Sequence, residues 1–377
     1  MQAVDSKNLS LEDFQRRAGF SSNERTVSRD AARAIKTVYW AFGLCHETGI
    51  YKPYGLERRF EPGAFRKNAK GDPYRLNKWT GYLKGRHEPR CVLALVQDAY
   101  PRANDCLRSP IWPALAAGPL TRGQLGKLLL RLEIPIQELI TQHGLWPGKL
   151  GTSRKLIDEK FAAALERRAC LDALGAVVLL LRLARAESDH EAAYRWGKWL
   201  WRMLVLLGPL LAHREVALAL ADLIEERIMP MADLEGMRFG FPPGHYMTVV
   251  AEFTKARALA VHRHHPATPV PDWKWHSIGQ GLFEYESGWD YRFAFNPVRL
   301  IDKNAWLLGL SKPALSEARL EQHGRWCHDW ALNMLSRGRH PAEPPRAVWM
   351  GHDLWAVDPK VQVTLALTTR EERRCSR

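Results

Sequence analysis

The sequence predicts a mainly α fold: a helical N-terminal region and a central helical bundle, with a smaller aromatic-rich α+β C-terminal part. Three observations predict it. Segments rich in Ala, Leu, Glu and Arg fill the middle of the chain, and these are strong helix formers. The breaks between them are short, which favours antiparallel neighbours in a bundle. Nearer the C-terminus, aromatic residues fall on alternate positions, the pattern of strands. The 377 residues suit two or three domains. The shifts in character place them at 1–118, 119–265 and 266–377.

The elements follow in order. Ser10 is a plausible cap for a first helix, with Glu12 and Asp13 in its first turn. A second helix runs from Ser28 or Asp30 through Trp40, with Ala31, Ala34, Ile35, Val38 and Tyr39 as its apolar stripe. Residues 51–75 hold Pro53, Gly55, Pro62, Gly63, Gly71 and Pro73, so they read as loops and short elements. Helices are predicted near Arg122–Arg131 and Ile136–His143. A long one follows Gly148–Ser153 and continues to about Glu187. Another spans about Glu191–Leu207, where Gly208-Pro209 stops or kinks it. One more covers about Ala212–Ile228 and another Met247–His262, with a Pro/Gly-rich loop over 230–246 between them. Pro266, Pro269 and Pro271 mark a linker. The run from Leu282 to Phe295 alternates aromatic and polar residues around Ser287-Gly288, a hairpin signal. A helix opens at Ser311-Lys312-Pro313, and Val361–Leu367 alternates like a strand.

Charge is the one property that points to a partner. The chain carries 55 Lys and Arg against 41 Asp and Glu, a net +14. Residues 1–118 hold 20 cations against 12 acids. Within 51–90 the cations include Lys52, Arg58, Arg59, Arg66, Lys67, Lys78, Lys84, Arg86 and Arg90. Tyr51, Tyr54, Phe60, Phe65, Tyr74, Trp79 and Tyr82 interleave with them. Basic charge mixed with aromatics suits a polyanion, and nucleic acid is the commonest.

The six cysteines are scattered, without a Cys-x2-Cys pair, so neither a zinc ribbon nor a thioredoxin-like motif is present. Met1 to Ser10 is polar and lacks a signal-peptide core. A reducing, cytoplasmic setting is expected. Ala173–Leu181 is apolar but far short of the roughly 20 residues a spanning helix needs, so no membrane role is predicted.

The best local pattern is Trp79-x2-Tyr82-x2-Gly85-x3-Pro89, followed by Val92, Leu93, Leu95 and Val96. It reads as a helix ending at Gly85, a turn, and a second helix started by Pro89. Over about 25 residues it resembles the second half of a helix-turn-helix of the phage-repressor type. That resemblance implies DNA contact by the exposed face of the helix ending at Gly85. Lys78, Lys84, Arg86, His87 and Arg90 would meet phosphates, Asn77 a base edge, and Arg66 and Lys67 extend the basic surface. The same pattern also fits an αα-hairpin with a basic outer face. Leu11 to Phe20, followed by Arg25-Thr26-Val27-Ser28-Arg29, is a fainter helix-turn-helix shape that packing explains as well.

Other chemistry is thin. His262-Arg263-His264-His265 and His323/Cys327/His328 cluster imidazoles, but spacing places no full ligand set. His190-Glu191-x2-Tyr194 lacks the second His of a zinc protease. Phosphate-loop, dinucleotide and Gly-x-Ser-x-Gly signatures are missing. No catalytic residue, metal site or cofactor is predicted. Arg195, Lys198 and Arg202 share one helical face and Trp196 and Trp199 another, so the cations form either a phosphate-binding stripe or a solvated face. The leading expectation is a non-enzymatic nucleic-acid-binding protein, a regulator or accessory subunit of a nucleoprotein complex. A helical protein-interaction scaffold is the alternative, and a metal-dependent enzyme using the His clusters the third.

Overall fold

The computed structural model describes residues 8–19, 24–67, 73–143, 159–234, 237–240, 245–264, 272–283, 295 and 298–301. Helix dominates these residues. The elements are α1 (Leu11–Ala18), α2 (Glu24–Thr48), α3 (Pro53–Phe60), α4 (Lys78–Leu83), α5 (Leu93–Ala99), α6 (Asp105–Arg108), α7 (Ile111–Ala114), α8 (Arg122–Leu129) and α9 (Ile134–Gln142). After them come α10 (Glu159–Arg168), α11 (Leu171–Ala186), α12 (His190–His213), α13 (Ala217–Arg227), α14 (His245–His264) and α15 (Asp272–Gly281). Two short antiparallel pairs join β1 (Phe65–Lys67) to β2 (Pro73–Arg75) and β3 (Met237–Gly240) to β4 (Val298–Ile301). The expected Pro linker, most of the aromatic hairpin, and the elements after Ser311 lie outside the described residues.

α1 begins where its cap predicts. Ser10 Oγ accepts from Asp13 N at 3.3 Å, and Gly19 closes the helix in the left-handed region. α2 carries the expected stripe, with Ala31, Ala34, Ile35 and Val38 fully buried. It is longer than expected, reaching Thr48, because Trp40, Ala41, Leu44 and Cys45 bury a second face against α3 and α4.

The long helix expected to end near Glu187 is two helices. Ala169 takes a positive φ of 33° and breaks it. Cys170 then caps α11, its Sγ accepting from Ala173 N at 3.3 Å. α11 is buried without interruption from Ala173 to Ala184, as expected of a helix with no polar face. It forms a hairpin with α12 and is covered on other sides by α7, α8, α9 and α10.

α12 also departs from expectation, running through Gly208-Pro209 to His213. Pro209 forfeits one backbone hydrogen bond. Burial of Leu206, Leu207 and Leu211 on the continuing helix offsets that loss. The missing side chain of Gly208 admits α14, since a Cβ there would stand 2.4 Å from Val250 Cγ2. α13 consequently starts only at Ala217, after the turn in which Glu215 is left-handed. The expected loop over 230–246 contains β3.

Arg202 corrects the basic-stripe reading of α12. Its side chain is 3% exposed and its Nε lies 2.6 Å from Oε1 of Glu166, itself 1% exposed. That contact is an ion pair whose angle misses hydrogen-bond geometry, while Nη2 donates to Oε2 at 3.1 Å. The guanidinium sits over the rings of Trp199 (4.5 Å) and Phe283 (4.7 Å). This cation is therefore part of the core. Arg182, also buried, donates to the carbonyls of Gly118 (2.9 Å) and Ala116 (2.6 Å), and Arg227 donates to that of Leu115 (3.2 Å). Burial pulls the Arg182 guanidinium down to about 10, so it remains charged near neutrality.

Removing one partner of a buried pair strands the other charge. Glu166→Ala is expected to lower the unfolding free energy by ~3–5 kcal/mol, read from the denaturant midpoint. Replacing both partners, Glu166→Leu with Arg202→Met, should recover most of that loss.

Candidate nucleic-acid interface

The basic N-terminal region is built over a separate aromatic core. Trp40 of α2 stacks on Trp79 of α4 (5.8 Å, 21°), and Phe60 of α3 stacks on Trp79 (5.5 Å, 26°). Tyr82 meets both tryptophans edge-on. Each indole N–H is satisfied: Trp40 donates to Asn104 Oδ1 at 2.9 Å and Trp79 to Glu61 Oε2 at 3.1 Å. Gly85 turns the chain with φ 72° and lies against Ala34 of α2, where a Cβ would stand 3.0 Å from the Ala34 Cβ.

These contacts decide where the expected site residues fall. α4 has six residues and buries Trp79, Gly81 and Tyr82. The second helix starts at Leu93, and Pro89 is buried in the turn before it. The local geometry is a packed one-and-a-half-turn helix and a long turn, not an exposed recognition helix. Asn77 precedes α4 in the left-handed region and accepts from Thr80 Oγ1 at 2.5 Å. Lys78 pairs with Glu61 at 2.9 Å. Arg86 is exposed, but its Nε donates to the Arg17 carbonyl at 3.3 Å. His87 is exposed and covers Gly81. Lys84 is half-buried and makes no ion pair among the described residues. Arg90 is 84% exposed, 3.9 Å from Glu88, whose carboxylate also takes Lys36 at 2.9 Å. Arg66 and Lys67 stand on β1, opposite Tyr74 and Pro73; their side chains are outside the described residues. Among the described residues, no group of three or more His, Cys, Asp or Glu could hold a metal. His262, His264 and the 323–328 cluster have no described side chains.

The more open surface is α3 and its approach. Tyr51 is 46% and Tyr54 50% exposed. Lys52, Arg58 and Arg59 are exposed beside them. Tyr54 and Arg58 are four residues apart on α3 and share a face. Lys52 and Arg58 make no ion pair among the described residues. Arg59 donates to Tyr100 Oη at 3.1 Å. Sequence reasoning counted these residues in the basic stretch but not as a site, because the surrounding Pro and Gly masked a helix of eight residues. The usable signal was Pro53 at a first helical position. Protein-family models, curated proteins and solved structures were compared with the chain, and none matches.

Tyr51 also ties this surface to the bundle. His46 of α2 stacks on His213 at the end of α12 (3.4 Å, 17°). Its Nε2 lies 2.7 Å from the His213 carbonyl, so it carries the proton and donates. Its Nδ1 then accepts from the Tyr51 hydroxyl at 2.8 Å. Burial, the His46 ring and the Arg214 guanidinium together hold His213 below its ordinary pKa of 6.5. A depressed histidine contributes stability that is present above the unfolded value and lost as pH falls through the folded one. The protein is therefore expected to lose stability as pH drops below 6.5, and His213→Gln should flatten that part of the profile in thermal melts.

Proposed function

We propose that this chain binds nucleic acid without catalysing a reaction on it, as a regulatory or accessory subunit of a nucleoprotein complex in a reducing, cytoplasmic compartment. One observation carries the reading. Two tyrosines about half exposed, Tyr51 and Tyr54, stand beside the exposed cations Lys52, Arg58 and Arg59 on one short helix and the two residues that lead into it. Cations without acid partners favour phosphates, and exposed aromatic faces favour stacking on unpaired bases. Single strands therefore suit this surface better than a duplex groove. Lys84, Arg86, His87 and Arg90, in the turn after α4, are proposed to extend the contact, with Arg66 and Lys67 on β1. Among the described residues, no helix is long and apolar enough to cross a membrane. The aromatic-rich C-terminal segment is proposed as an α+β part that joins the same task.

A second reading rests on Leu130 and Ile134, 56% and 70% exposed around the turn between α8 and α9. Large apolar side chains held in water suit a protein partner, the role of a helical scaffold.

The test is binding of a fluorescent 30-mer, single-stranded and duplex, from about 50 to 200 mM salt. Arg58→Glu with Arg59→Glu should lower the log–log salt slope by ~0.7 per lost contact on single strands. Tyr54→Ala should weaken single-strand binding by ~1–3 kcal/mol and leave the slope intact. No binding at the lowest salt would leave the scaffold reading, tested by co-purification of a partner after nuclease treatment.

A further inference from the structure

A cavity of about 930 Å³ opens where the end of α10 meets the start of α11. It lies within the range of roughly 300–1,000 Å³ typical of small-molecule sites. Its apolar wall comes from Leu139 of α9, Leu171 of α11 and Leu210 of α12. Tyr39 of α2 also lines it and is 6% exposed. Its hydroxyl makes no hydrogen bond among the described residues. The ring is buried while the hydroxyl keeps solvent access, so it is available to donate to a ligand in the cavity. Burial pushes the Tyr39 phenol up to about 12, which keeps its proton in place near neutrality.

The rim is cationic. Arg167 and Arg168, in the last turn of α10, are exposed and make no ion pair among the described residues. His276 of α15 stands on the same cavity. α11 runs 16 residues from Leu171 and aims its positive end there. One acid, Glu133, itself lines the cavity and a second, Asp172, lies close by; both accept hydrogen bonds from the protein. Glu133 accepts the Cys170 thiol at 3.1 Å, and Asp172 accepts from Ser109 Oγ at 2.5 Å and Glu133 N at 2.8 Å.

We propose that this cavity binds a small organic anion with an apolar body, its carboxylate or phosphate head held by Arg167 and Arg168 and its far end accepting a hydrogen bond from Tyr39. The two arginines supply the charge-assisted contacts, and the leucines take the body. The site is separate from the α3 surface and does not depend on nucleic-acid binding.

The probe is anilinonaphthalene sulfonate, an apolar aromatic anion, titrated by fluorescence into the full chain. One saturable site is expected. Arg167→Glu with Arg168→Glu should weaken it about a hundredfold, and Tyr39→Phe about threefold to tenfold, consistent with one lost hydrogen bond. Uncharged phenylnaphthylamine should bind wild type and the double variant alike. Competition by decanoate against naphthyl phosphate then separates a carboxylate head from a phosphate head. The rim substitutions touch no core residue, and an unchanged circular dichroism spectrum checks the fold. Equal dye affinity in wild type and the double variant, or persistence of the site after Ala164→Trp fills the cavity, would overturn the proposal.

Discussion

The described structure depends on one constraint: α11 has no face that water can cover. Twelve consecutive residues, Ala173–Ala184, are buried, so the helix must be enclosed on every side. α12 supplies the largest partner surface, and α7, α8, α9, α10 and the 3-10 turn Met229–Ala232 cover the rest. α12 is itself buried without interruption from Trp199 to Gly208, so it needs a further layer, which α14 supplies in part. Gly175 shows how tight the enclosure is, since a Cβ there would lie 3.3 Å from the Ile111 amide of α7. Arg182, carried into this interior, donates to the carbonyls of Gly118 and Ala116 in the turn that follows α7.

That use of arginine changes the meaning of the net charge. The net charge of +14 is densest in residues 1–118 in the sequence, but several guanidiniums elsewhere and within it are structural. Arg202 is locked to Glu166, Arg227 reaches a loop carbonyl, and Arg17 faces Glu215 at 3.8 Å across the α1 seat. Lys78 and Lys36 are neutralised by Glu61 and Glu88. The cations left without acid partners among the described residues include Lys52, Arg58 and Arg59 by α3 and Arg167 and Arg168 at the rim of the α10–α11 cavity.

Much of the architecture was legible because local rules and tertiary packing agree. The Ser10 cap, the α2 stripe and the apolar run of α11 each follow from residues a few positions apart. The departures occur where a distant contact decides. Gly208-Pro209 reads as a stop, yet Val250 of α14 packs into the gap and the helix continues. Nothing in the apolar pattern around Ala169 announces a break, which rests on one positive φ and a thiol cap. The helix-turn-helix echo at Trp79–Pro89 reflects an aromatic core spacing, and only the stacked rings of Trp40 and Phe60 reveal that this helix faces inward. The partner of Arg202 and the ring contacts of Tyr39, with Trp112 and Arg214, come from helices and turns distant in sequence, so no local pattern could name them.

α2 has a role that follows from two adjacent residues. Tyr39 belongs to the bundle core and Trp40 to the aromatic core beneath α3 and α4. Successive positions on a helix differ by about 100°, so one rigid rod serves two interiors through its angular phase alone. Losing or gaining a single residue in mid-helix would turn every later side chain by that angle and set Trp40's successors against the wrong neighbours. The two interiors must therefore drift together over evolutionary time. A change in the length of α2 is expected to be tolerated only at its ends, and α2 acts as the common axle on which both halves of the N-terminal region are timed.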